Sequence, residues 1–243
     1  AKDLTLACLR KLGASGVLGQ AAEFYGPAID ALDLAGRITL ASMMTEMGGI
    51  VGLIPPSDEV LAFCRARTGR QDLQALAADP DAVYTQEVEI DITDLEPLIA
   101  CPPKPDNVKP VREVAGTKID SVFIGSCTNG RFEEMQAVAD VVRGKHVAPG
   151  MVASVVPATR EVYQQMLESD VLRTLFEAGF IISNPGCGGC ASGHIGMVGE
   201  GQVQISTSNR NFAGKQGPGH NYLASPAVAA WAALTGVITV PEG

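Results

Sequence analysis

Long apolar runs are missing from this sequence. The longest, such as residues 227–234, fall far short of the roughly 20 residues that a membrane-spanning helix needs. Basic charge is scarce as well: 18 Lys and Arg stand against 27 Asp and Glu among 243 residues, a net charge of −9. Such a chain, with no basic run, is a poor match for nucleic acid or an anionic membrane, whose phosphates are bound through clustered cations. Six cysteines in 243 residues are too sparse for a disulfide scaffold. The first residues carry Lys2, Asp3, Arg10 and Lys11 and lack the apolar core of a signal peptide. Reduced thiols in a cytoplasmic setting are therefore expected. The chain opens on Ala1 rather than Met, which suits a processed chain or a piece of something longer. Internal repeats and low-complexity tracts are absent too.

What is present is globular: 46% hydrophobic and 19% charged residues, enough for one large domain or two smaller ones. Leu4, Cys8 and Leu12 recur at helical spacing and Gly13 supplies a stop. Residues 21–25 read as a strand, 37–47 as a helix and 50–54 as a second strand. Ser57 is placed to cap a helix that carries Asp58 and Glu59 in its first turn and runs toward Gly69. Cys8 and Cys64 fall in helical patterns and are expected as small core residues. The alternation of residues 87–92, EVEIDI, predicts a half-exposed strand. Pro97, Pro102, Pro103, Pro105 and Pro110 then crowd one stretch and predict an extended linker. Beyond it, strands (121–125, 152–156, 180–182, 203–206) alternate with helices (131–143, 160–168, 171–178, 226–234). That alternation implies a mainly parallel sheet covered on both faces. The expected architecture is α/β, with two α/β/α domains at 1–96 and 118–243 joined by a linker at 97–117.

Three loops at the carboxyl ends of expected strands carry chemistry, where open α/β sheets bind ligands. They are GSCTNG at 125–130, NPGCGGC at 184–190 and STSNRNFAGK at 206–215. A CxxC pair is shared by redox dithiols, zinc sites and iron–sulfur clusters, and also occurs as a fortuitous pair. The glycines around and between Cys187 and Cys190 favour a bulky inorganic group, because they permit close backbone approach. Cys127 makes a third thiolate. Structural zinc takes four ligands, and no fourth Cys or His stands at a ligand-like interval. A cubane held by three cysteines leaves one iron open as a Lewis acid. The plainer alternative is a set of ordinary turns with Arg210 solvated.

VFIGSCTNGR, NPGCGGC, STSNRNFAGKQG and LASPAVAAWAALTG, together with KDLTLACLRKLGASGVLGQAAEFYGPAIDAL and RITLASMMTEMGG upstream, resemble the aconitase superfamily across essentially the whole chain. The likeness is greatest to the large subunits of its isopropylmalate dehydratase and homoaconitase branches. It implies a [4Fe–4S] cluster on Cys127, Cys187 and Cys190, with Asn129 supporting it by hydrogen bonding. It also implies an active-site carboxylate at Glu46, and Asn209 and Arg210 as the pair whose arginine grips a substrate carboxylate bidentately. Phe212 is expected to pack inward. Lys215 stands where many relatives have Arg, and Ser42 where they usually have Asn. The implied reaction is dehydration and rehydration of a small 2-hydroxy di- or tricarboxylic acid. Isopropylmalate, in leucine biosynthesis, is the first substrate; a homoaconitase or dimethylmalate type, or a non-catalytic metal or redox protein, is the alternative. The implied partners are a small swivelling subunit and an N-terminal domain supplying His and Asp. His146, His194 and His220 match none of those positions, and without its partners the isolated chain is expected to hold its cluster weakly.

Overall fold

The computed structural model describes residues 1–241. The first half runs α1 (Lys2–Leu12), β1 (Ala21–Glu23), α2 (Pro27–Asp30), α3 (Leu34–Ser42), a 3-10 turn at Met43–Met47, β2 (Val51–Leu53) and α4 (Asp58–Thr68). The second follows as β3 (Leu98–Ala100), β4 (Val108–Pro110), β5 (Ser121–Gly125), α5 (Ser126–Asn129), α6 (Phe132–Val142), β6 (Val152–Val156), α7 (Arg160–Glu168), α8 (Val171–Glu177), β7 (Ile181–Ile182), β8 (Val203–Ser206), β9 (His220–Ala224) and α9 (Pro226–Thr235). Several boundaries have visible causes. Gly13 closes α1 by donating its N–H to Leu9 O, and Ser57 Oγ accepts from Val60 N–H at the start of α4. Pro226 opens α9, where its missing donor costs nothing.

Among the described residues there is a two-stranded parallel sheet, β1–β2, and a seven-stranded sheet in the order β4-β3-β9-β8-β5-β6-β7. From β9 to β7 all neighbours are parallel, while β3 runs antiparallel to both β9 and β4. The α/β architecture with mainly parallel sheets is thus the one expected. The chain leaves β5 toward β6 and β7, then returns to the other side of β5 with β8 and β9. The crevice between β5 and β8 is therefore a topological switch point, the place where such sheets bind ligands.

Three expectations fail. The proline-rich stretch is not a free linker: β3 and β4 lie within it, and Leu98, Ile99 and Ala100 are fully buried in the sheet. The prolines flank these strands or end the edge strand β4, positions that need no ladder donor. Residues 87–92 form no strand; they run exposed beside β1, with Ile90 and Ile92 against the core. Cys64 is only half-buried, on a helix with no buried residue, whereas Cys8 is buried as expected.

Two apolar clusters result. One gathers α1, α3 and the Met43–Met47 turn around Leu6, Leu9, Leu40 and Met44. The other packs one face of the large sheet, through Val122, Ile124, Val155 and Ile205, against α6, α7, α8 and α9. Strand β3 serves both: Leu98 and Ala100 point into the first, and Ile99 into the second.

Candidate active site

The loop after β5 is built around a backbone that other residues adopt at a cost. Gly125 has φ +118°, and a Cβ there would lie 2.0 Å from Val156 O. Ser126 follows with φ +94°, the one non-glycine of positive φ among the described residues. Backbone held in such a region costs roughly 1–3 kcal/mol and persists only where surroundings enforce it. Here Thr207 enforces it: its Oγ1 accepts from Gly125 N–H at 2.8 Å, and its own N–H donates to Phe123 O at 3.0 Å. The turn that results presents Cys127 to solvent.

The loop after β8 is bolted to the same turn. Asn129 Nδ2 donates to Asn209 Oδ1 at 2.8 Å, and Asn209 Nδ2 donates to Thr128 Oγ1 at 3.1 Å. The next residue, Arg210, donates from Nε to Glu46 Oε1 at 2.5 Å, across 164 positions of sequence. Glu46 comes from the Met43–Met47 turn, and its side chain is 6% exposed against 38% for Arg210. Burial on the Glu46 side and an open guanidinium on the other leave Arg210 with donors free to face a ligand. Asn211, not Phe212, turns inward here, donating to Ala100 O at 3.1 Å. Phe212 is 46% exposed, contrary to expectation.

The third loop brings Cys187 and Cys190 on a turn that excludes side chains behind it. A Cβ on Gly188 would meet the Phe123 ring at 2.4 Å, and one on Gly189 would meet Gly196 O at 2.4 Å. Cys127 and Cys187 are exposed and Cys190 half-buried, all as free thiols. The Cys187 thiol is pushed up from its ordinary value, first by Cys127 beside it, then by burial, with Cys190 adding and Lys215 opposing. Cations line the backbone of this cluster: Lys215 Nζ donates to Cys190 O at 3.0 Å and Arg131 Nη2 to Cys127 O at 3.1 Å. Cys190 and Cys127 both help to hold Arg210 charged, after its bond to Glu46. Three thiols, Glu46 and Arg210 therefore share one crevice. Among the described residues no three Cys, His, Asp or Glu groups close on a single metal ion. His146, His194 and His220 are exposed.

Sequence reasoning missed Lys2 and Glu134. Lys2 Nζ donates to Thr207 O (3.0 Å) and Ser208 O (2.7 Å) and meets Met43 Sδ at 3.4 Å. Burial lowers its pKa to about 8, against the opposing pull of Glu134, Glu46 and Asp3. Burial likewise raises the Glu134 carboxyl to about 7, although it accepts the Arg131 N–H and faces Lys2. A signal for Lys2 exists: it stands four and seven residues before Leu6 and Leu9, on an apolar stripe of α1.

The model of the aconitase family (aconitate hydratase) matches residues 1–236. The chain is 45% identical over 243 residues to the 3-isopropylmalate dehydratase large subunit of Sulfurihydrogenibium sp. (strain YO3AOP1), covering 99% of this chain and 56% of that protein. It is 46% identical over 243 residues to the probable methanogen homoaconitase large subunit of Methanosarcina mazei, covering 100% and 61%. The 3-isopropylmalate dehydratase large subunit of Nitratidesulfovibrio vulgaris is 46% identical over 243 residues, covering 99% and 58%. The chain thus spans little more than half the length of these relatives.

Proposed function

The chain belongs to the aconitase family, and from that premise we propose that it forms the cluster-bearing part of a hydro-lyase acting on a small 2-hydroxy di- or tricarboxylic acid. The observation that carries this is the meeting of three free thiols with the Glu46–Arg210 pair at the sheet's switch point. The donor set suits a polynuclear group: three free thiols, with no fourth Cys or His joining them among the described residues, on a turn cleared by Gly188 and Gly189. Cys127, Cys187 and Cys190 would hold a [4Fe–4S] cluster. When bound, such a cluster keeps one iron open as a Lewis acid toward a hydroxyl and a carboxylate.

The chain's own residues bind and orient. Arg210 presents its remaining N–H groups to a substrate carboxylate in a planar fork, held at its other edge by Glu46. Asn209 and Asn129 fix the loop that carries it. Lys215, with its charge near Cys187, favours that thiol's deprotonated form. The base that removes the carbon-bound proton, and the acid that protonates the leaving hydroxyl, would come from outside this chain: from the small-subunit partner that the relatives' "large subunit" names imply, and from an N-terminal domain supplying His and Asp.

The first substrate is 3-isopropylmalate, after the relatives so named. Homocitrate-type acids are the second reading, because the M. mazei relative is as similar. A reducing, cytoplasmic location suits the six free thiols. No helix among the described residues is long and apolar enough to cross a membrane.

The test is iron and labile sulfide in anaerobically purified protein. Cys127→Ser, Cys187→Ser and Cys190→Ser should each lose the visible iron–sulfur absorption, and Cys8→Ser and Cys64→Ser should keep it. Equal iron loss from Cys8→Ser and Cys187→Ser overturns the ligand set. A colourless protein that retains zinc overturns the cluster altogether.

A further inference from the structure

Lys2 opens α1, and the residue is 2% exposed. A buried ammonium normally has a carboxylate within ion-pair distance. This one has none among the described residues. Its donors go to two consecutive backbone carbonyls, Thr207 and Ser208, and toward the sulfur of Met43. Those contacts lie on two different walls of the crevice. Thr207 and Ser208 immediately precede Asn209 and Arg210, and Met43 opens the turn that carries Glu46. The side chain therefore ties the backbone just before Arg210 to the Met43 side chain on the turn that carries Glu46. A strong charge-assisted bond to a carbonyl restricts that peptide's rotation, and two in succession fix the plane from which the next side chains emerge.

We propose that Lys2 is a positioning residue, a buried bracket that sets the Arg210 loop against the Glu46 turn and so fixes where a substrate carboxylate is held. This rests on the proposed role of Arg210 as the carboxylate ligand. With its donors spent on Thr207 O, Ser208 O and Met43 Sδ, Lys2 acts through the backbone of residues 207–208.

The test uses the full protein with its partner subunit and cluster in place. Lys2→Met keeps an unbranched side chain out to the ε position and removes its charge and donors. The expected result is unchanged iron content, KM raised at least about tenfold and kcat within about threefold, the pattern of lost substrate binding. Amide hydrogen exchange over residues 207–210 should quicken at least about tenfold while α9 keeps its protection. Arg210→Ala separates the two ideas. If Arg210→Ala raises KM and Lys2→Met alters neither KM nor exchange, the bracket is wrong and the site stands. If neither variant alters KM, the carboxylate site is wrong, and unchanged exchange then removes the bracket as well. Should Lys2→Met fail to fold, Lys2→Gln carries the test. Its amide ends one bond short of Nζ, and parental KM and exchange in that variant overturn the proposal.

Discussion

At the scale of single residues, the chain's most consequential titration below neutrality belongs to Glu134. Burial holds its carboxyl near 7, and the hydrogen bond from Arg131 N–H and the charges of Lys2 and Arg131 only partly oppose this. In an unfolded chain the same group titrates at its ordinary value of 4.5. Between the two values the folded protein keeps a proton that the unfolded chain has released. The contribution is therefore full below about 4.5 and is lost as pH rises through about 7, on the order of 3 kcal/mol. Lys2 acts in the opposite sense: its value is lowered to about 8, so stability rises as pH climbs from there toward 10.5. Glu134→Gln keeps an acceptor for Arg131 and removes the ionisation. Unfolding midpoints at pH 5, 6, 7 and 8 should show the variant gaining on the parent at each step. Parallel curves would mean that Glu134 ionises freely in the folded state.

At the scale of elements, β3 is the segment whose role differs most from its composition. Leu98, Ile99 and Ala100 are each fully buried, and burial of a large aliphatic side chain contributes roughly 1.5–3 kcal/mol. One serine inserted between Leu98 and Ile99 slips the register and turns each following side chain to the wrong face. Soluble folded protein should be lost, whereas the same insertion between residues 78 and 79, in an exposed segment, should leave the melting temperature nearly unchanged. A tolerated insertion at Leu98 would restore the linker. The parallel strands and their helices were legible because apolar runs and helical spacing survive in β5, β6, α6 and α7. Strand β3 was not, because prolines on both sides mask three apolar residues. Strand β9, His220–Ala224, was missed because its sequence HNYLA carries neither an apolar run nor regular alternation. Residues 87–92 had the alternation without a neighbour to pair with, and periodicity reports a face, never a partner. Within the site, the cysteines, Glu46, Asn209 and Arg210 could be picked out from local motifs. The Glu46–Arg210 bond and the Lys2 contacts to Thr207 and Ser208 could not, since they join residues 164 or more positions apart.

At the scale of the whole molecule, the two apolar clusters share one backbone. Leu98 and Leu223 face the cluster around α1, while Ile99 and Ala224, their neighbours on β3 and β9, face the cluster of the large sheet. Loosening one side of these strands removes support from the other, so the two halves should melt together. Trp231, the single tryptophan, lies on α9 beside the larger cluster, with Lys145 over its ring. Leu98→Ala, a change in the smaller cluster, should cost about 2–5 kcal/mol. Trp231 fluorescence should report the full loss, in one transition coincident with circular dichroism. A first transition silent to Trp231 would show that the halves unfold independently.

The Lys2 contacts also set a timetable for synthesis. The carbonyls that receive its ammonium belong to residues made 205 and 206 positions later. At about 5–20 residues per second, translation takes roughly 10–40 s to cover that distance. Leu6 and Leu9 can pack against Leu40, Met44 and Leu98 as soon as those have emerged, well inside this interval. The lysine cannot be satisfied in the same way: its ammonium waits for both carbonyls until nearly the last strand has been made.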